Sequence, residues 1–219
     1  MTVGSPKDWL AWLTRQWLLY NLGNKQFQFM FKPPPANQWV ALDCETTGLD
    51  VNTDEIISIA AVRIEGNRVM TSERLELLVR PERRVSPESV RIHQLREQDV
   101  AKGMAPEAAM TELMQFIGSR PLVGYYLEFD LAMIDRALAP ILGINMGLPQ
   151  PRNEVSAMYY DYKYRQLPRH QRDNPYIDLR FATLMKDLDL PQRNAHDALN
   201  DAVMAALAFV KLRQLLAAH

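Results

Sequence analysis

The chain has 219 residues, 47% hydrophobic and 23% charged, with a formal net charge of −1. That length supports one domain with a full core plus an appendage, and near-neutrality excludes a protein that holds long nucleic acid mainly by bulk positive charge. No apolar run approaches the ~18–20 residues of a membrane span, the N-terminus lacks a signal-peptide core, and Cys44 is the only cysteine, so internal disulfides are excluded and a cytoplasmic location is expected.

Residues 1–36 differ in character from the rest. Trp9, Leu10, Trp12, Leu13, Trp17, Leu18 and Tyr20 predict an amphipathic helix that stops near Asn21-Leu22-Gly23, and Pro33-Pro34-Pro35 reads as a stiff linker. Two readings of this extension stand open: a helix packed on its own domain, or a surface for a protein partner or for self-association.

Beyond it the pattern turns to strands. Residues 39–46 form the first, 56–64 the second and 68–79 the third, with a turn at Gly66-Asn67. A helix follows Ser86 with Pro87 in its first turn, and another runs from Pro106 to about Ser119. Residues 122–125 read as a short buried strand, and 129–142 as a helix stopped by Gly143. Loop 144–153, helix 154–166 and polar loop 167–177 precede two helices at about 178–187 and 197–217. Three strands followed by alternating strand and helix predict an α/β fold, a mixed sheet flanked by helices.

The first strand ends in Asp43-Cys44-Glu45-Thr46-Thr47-Gly48. Side chains alternate along a strand, so Asp43 and Glu45 share one face while Cys44 points into the core, where burial and acidic neighbours raise its pKa. Two adjacent carboxylates repel each other and are most easily held by a divalent cation, and oxygen-only ligands suit Mg²⁺ or Mn²⁺. Further carboxylates belong at other element ends. Asp130 stands at a strand-to-helix junction. Asp201 lies one turn inside the last helix, five residues after His196, and Asp197 is a good N-cap for that helix. Arg80, Arg83, Arg84, Arg91 and Arg96 are locally dense. Lys163, Arg165, Arg169, His170 and Arg172 interleave with Tyr159, Tyr160, Tyr162 and Tyr164; this mixture reads as a nucleic-acid track or as a solvated helix face. His93, taken by itself, reads as a surface histidine.

Asp-x-Glu-Thr-Thr-Gly, then Phe129-Asp130 before a helix, then His-x-x-x-x-Asp near the C-terminus resembles the motif order of the DEDDh, or DnaQ-like, 3′→5′ exonucleases. The resemblance covers roughly residues 37–212, which would make 37–212 the exonuclease domain and 1–36 a helical extension with a proline linker. It implies an RNase H-like fold and hydrolysis at 3′ ends that releases nucleoside 5′-monophosphates. By the same resemblance Asp43, Glu45, Asp130 and Asp201 hold two Mg²⁺ or Mn²⁺ ions, and His196 is the general base. Thr46, Thr47 and His93 become candidate substrate contacts, with Gln94 standing where the family usually has glycine. Many members carry His-Asn where this chain has Tyr125-Tyr126, so Tyr126 is a candidate contact that either stacks on a base or packs on the sheet. Thr46, where oligoribonucleases of the family usually have methionine, favours single-stranded DNA. An RNA- or oligoribonucleotide-degrading enzyme, a small-nucleotide phosphodiesterase and a non-catalytic module acting through residues 1–36 are the alternatives. Since the chain ends directly after the last helix, no polymerase-binding tail is expected, and a free-standing enzyme of repair or turnover is the favoured reading.

Overall fold

A computed structural model describes residues 6–143, 147–192 and 197–218, with side chains from residue 13 onward. The sheet is built from β1 (Gln38–Thr46), β2 (Ile56–Glu65), β3 (Arg68–Leu78), β4 (Leu122–Gly124) and β5 (Arg152–Glu154), in the order β3-β2-β1-β4-β5. β1, β2 and β3 are antiparallel neighbours, while β4 runs parallel to β1 and β5 parallel to β4. The helices are α1 (Pro6–Asn21), α2 (Pro87–His93), α3 (Glu97–Val100), α4 (Pro106–Ile117), α5 (Leu127–Leu142), α6 (Val155–Gln166), α7 (Phe181–Asp187) and α8 (Ala198–Ala217). None of these is long and apolar enough to cross a membrane.

Alternation along β1 divides the core into two layers. Val40, Leu42 and Cys44 face the layer of α4 and α5, where Met110, Leu113, Ile134 and Leu138 are buried. Ala41 faces the other layer, filled by Val155, Tyr159, Leu184, Val203 and Phe209 from α6, α7 and α8. Odd-numbered residues of β1 therefore look toward α8, which packs across β1 and β2. Asp43 and Glu45 continue that odd set at the strand's C-terminal end.

The extension joins the first layer. After α1, a 3₁₀ turn at Lys25–Phe31 buries Phe27, Met30 and Phe31, and Leu22 beside it is 2% exposed. Gly23 donates its N–H to the Leu142 carbonyl at 2.8 Å at the end of α5. A Cβ at position 23 would stand 2.8 Å from that oxygen, so only glycine permits the approach.

Some details differ from the sequence-based expectations. The loop before α6 ends in a strand, β5, too short for periodicity to reveal. α7 begins at Phe181, three residues later than the pattern suggested. Ahead of the prolines the structure adds a 3₁₀ turn at Lys25–Phe31, a stretch to which the sequence pattern assigned no element.

Candidate active site

Parallel β1 and β4 deliver their C-terminal ends to the same edge of the sheet, and two helix N-termini arrive there as well. α8 begins at Asp197, whose Oδ1 accepts the Asn200 N–H at 2.9 Å, which confirms it as the cap. Asp201, one turn in, meets the odd face of β1. Carboxylate oxygens of Asp43, Glu45 and Asp201 lie within 4.8 Å of one another. Asp130 comes from the first turn of α5, is 5% exposed, and lines the same cleft. Glu128, two residues earlier on α5, is exposed and outside that cleft.

The electrostatics are those of a crowded acidic centre. Burial first, then the charges of Asp130, Asp201, Glu45 and Asp197, push Asp43 well above the usual carboxylate range. Glu45 is pushed up to about 7 by burial and by Asp201 and Asp197. Burial raises Asp130 too, against a hydrogen bond from the Cys44 backbone that acts in the opposite direction. Cys44, buried beneath the strand as expected, has its thiol pushed up by burial and by these carboxylates. An all-oxygen donor set of this kind, mutually repulsive and drawn together by the fold, suits a hard divalent cation.

The turn after β1 explains the rest of the first motif. A bulge falls between Glu45 and Thr46 where β1 leaves β2. Thr46 Oγ1 donates to the Gly48 carbonyl at 2.6 Å; Thr47 Oγ1 donates to Asp54 at 2.9 Å and accepts the Glu55 N–H at 3.0 Å. Both hydroxyls are thus committed to the turn. Gly48 has no room for a side chain, since a Cβ there would stand 2.5 Å from the Asp54 carboxylate. Asp50 and Asp54, with Arg136 donating to the Val51 and Asp54 carbonyls, hold this loop in shape.

His93 is not on the surface. At 7% exposure it closes α2 and lines a second cleft with Glu45 and Asp197. Its Nδ1 accepts the Leu95 N–H at 3.1 Å, which puts the proton of the neutral ring on Nε2. The two tyrosines part company. Tyr125 stacks on Phe181, with centroids 4.4 Å apart, and donates its hydroxyl to the Leu179 carbonyl. Tyr126 is 72% exposed, with φ +58, a conformation uncommon outside glycine and turned outward at the rim of the acidic cleft. His196 lies outside the described residues.

Glu154 is the residue that sequence reasoning missed. Its carboxylate accepts the N–H groups of Tyr126 and Leu127 at 3.1 and 2.8 Å, and the N–H and hydroxyl of Ser156 at 3.0 and 2.7 Å. One anion thereby caps the start of α5, which carries Asp130, and the start of α6. Its partners on α5 lie 27 and 28 residues away in sequence, so no local pattern announces that half of its role.

A family model described as RNase_T, exonuclease, matches residues 40–209. The chain is 30% identical over 176 residues to the DNA polymerase III subunit epsilon-like protein of Rhodobacter capsulatus, covering 80% of this chain and 23% of that protein. It is 24% identical over 178 residues to the PolC-type DNA polymerase III of Thermotoga maritima, covering 81% and 12%. This chain thus spans less than a quarter of either relative's length. Among solved structures, E. coli exonuclease I in complex with a dT13 oligonucleotide aligns with a TM-score of 0.66 at 20% identity, over 81% of this chain and 41% of that one. Cell-death related nuclease 4 aligns with a TM-score of 0.64 at 15% identity, over 83% and 65%. The mixed sheet flanked by helices is the RNase H-like architecture expected from the sequence. With the matched span taking in both clefts, the acidic residues and most of the chain, this protein belongs to the RNase T exonuclease family.

Proposed function

We propose that the chain is a metal-dependent 3′→5′ exonuclease that hydrolyses single-stranded DNA from its 3′ end and releases nucleoside 5′-monophosphates. The observation that carries this reading is the convergence of Asp43, Glu45 and Asp201 within 4.8 Å, with buried Asp130 in the same cleft. Family membership supports it, as does the likeness in fold to an exonuclease solved with a DNA oligonucleotide.

Asp43, Glu45, Asp130 and Asp201 would hold two Mg²⁺ or Mn²⁺ ions. Bound there, such ions offset the charge that develops on the scissile phosphate and its leaving oxygen. The protein's own part begins with the fold, which holds the four carboxylates close despite their burial and mutual repulsion and so prepares a cation site. To His196 we assign, on the His-x-x-x-x-Asp motif, the removal of a proton from the attacking water, a task suited to an imidazole with reference pKa ~6.5. His93 and Tyr126, on two sides of Glu45, are the proposed substrate contacts. Thr46 and Thr47 act indirectly, by shaping the turn that follows the strand.

We assign residues 37–212 to the catalytic domain and 1–36 to an extension whose Leu13, Trp17 and Tyr20 face solvent and would meet a protein partner or a second copy. The lone buried Cys44 fits a reducing compartment such as the cytoplasm.

The test is a degradation panel with Mn²⁺, offering matched DNA and RNA as single strand, duplex and dinucleotide. Single-stranded DNA should be shortened fastest and yield 5′-monophosphates, and His196→Ala should abolish turnover in a folded protein. Faster loss of RNA, or undiminished activity without His196, would replace this substrate or this mechanism.

A further inference from the structure

α6 sorts its tyrosines by face. Tyr159 is 1% exposed and donates its hydroxyl to Asp187 at 2.6 Å, and Tyr162 packs against the same layer of core. Tyr160 and Tyr164 lie on another side, with rings 6.0 Å apart and 16° from parallel, and neither hydroxyl bonds to a described residue. Tyr160 is 37% exposed. Beyond Tyr164 the Arg172 guanidinium sits 5.6 Å from the ring centroid, held by donation to the Leu167 and Arg165 carbonyls. The described residues give neither Arg172 nor exposed Arg169 an ion-pair partner.

The first turn of α6 lies beside the acidic centre. Tyr126 and Phe129, near-parallel at 6.4 Å, line the acidic cleft on one side. On the other they line a second cleft that Ser156, in the first turn of α6, also lines. Tyr160 and Tyr164 follow Ser156 at four-residue steps, about 6 Å and about 12 Å further along α6, each step turning about 40° around the helix axis. Aromatic rings in series, with Tyr126 and Tyr160 exposed and Phe129 and Tyr164 half-buried, closing on arginines that have no ion-pair partner among the described residues, fit successive bases and a phosphodiester backbone.

We infer that α6 is a distal subsite: the single strand 5′ to the scissile bond passes over Tyr126, runs along Tyr160 and Tyr164, and meets Arg172 with its phosphates. This rests on the exonuclease reading above and adds where the rest of the strand lies. The subsite accepts any base, because stacking needs only a π-face. It also favours single strands, whose bases are free to stack on protein.

The test compares kcat/KM on a single-stranded DNA decamer with that on a dinucleotide, which is too short to reach α6. Leucine keeps apolar bulk without the ring, and phenylalanine keeps the ring without the hydroxyl. The ratio of decamer to dinucleotide should fall roughly tenfold in a Tyr160→Leu, Tyr164→Leu double variant, mostly through KM, and should survive in the matched Phe double variant. Arg172→Gln should lower the ratio and weaken its dependence on salt. A ratio unchanged in the folded leucine variant would overturn the subsite while leaving the exonuclease reading in place. A wild-type chain that cleaves neither substrate would overturn both.

Discussion

The acidic centre and helix α6 organise their side chains in opposite ways. Asp43, Glu45, Asp130 and Asp201 come from three elements far apart in sequence and are brought into one cleft. Tyr159, Tyr160, Tyr162 and Tyr164 are neighbours in sequence, yet the helix buries the first, packs the third against the core, exposes the second and leaves the fourth half-buried beside it. Spacing motifs survive this sorting because they encode which element ends converge. Compositional clusters do not, because a helix distributes neighbours around its axis. A basic and aromatic run therefore has to be divided by face before it is read as a binding surface.

The comparison is broken most forcefully at the centre. Asp43→Asn or Asp201→Asn should lower turnover about a thousandfold or more, because each removes a charge the cations require. Glu128→Gln, on the exposed side of α5, should change it less than about threefold. In metal-free protein Asp43→Asn should also raise stability, by on the order of 1 kcal/mol, since a buried repulsive carboxylate is removed. Thermal unfolding in EDTA reads that gain.

Next in size is the effect of Glu154→Gln. The neutral amide weakens the cap on both helices and loosens the segment that presents Asp130. Activity should fall about 10–100-fold, with a weakened half-saturation for Mn²⁺. Loss of stability without any change in metal dependence would make Glu154 a cap alone.

The pH dependence of metal-free stability follows from the raised carboxylates. Folded protein keeps protons that the unfolded chain, with carboxyls titrating near ~4, has already released. That stabilisation is full below the unfolded values and is lost as pH climbs through the folded ones, about 7 for Glu45. Melting temperature in EDTA should therefore fall between pH 5 and pH 8.5, and Mn²⁺ should recover more of it at pH 8.5. Asp178 and Asp187, whose pKa values are lowered by their hydrogen bonds, titrate below this window and do not reverse the sign. A smaller effect belongs to Tyr159→Phe, which should cost about 1 kcal/mol by removing the bond to Asp187 and leave the decamer-to-dinucleotide ratio alone.

What was legible in the chain follows the range of the interaction that decides it. Alternation placed Asp43 and Glu45 opposite Cys44, and local capping chemistry marked Ser86 and Asp197 correctly. β5 escaped because three residues at a sheet edge carry no period. Glu154 escaped because its partners on α5 are distant in sequence, and the burial of His93 because it depends on where α2 settles against the turn after β1, where Ser89 donates to the Thr47 carbonyl, rather than on its neighbours. The outward turn of Tyr126 rests on a backbone conformation that side-chain type does not announce.

The most direct measurement follows a 5′-labelled single-stranded DNA oligonucleotide through time with wild-type and Asp43→Asn protein, in Mn²⁺ and in EDTA. The account predicts a ladder that shortens from the 3′ end by single nucleotides, only with wild type and only with the cation. Equal degradation by Asp43→Asn, or degradation that persists in EDTA, would contradict it.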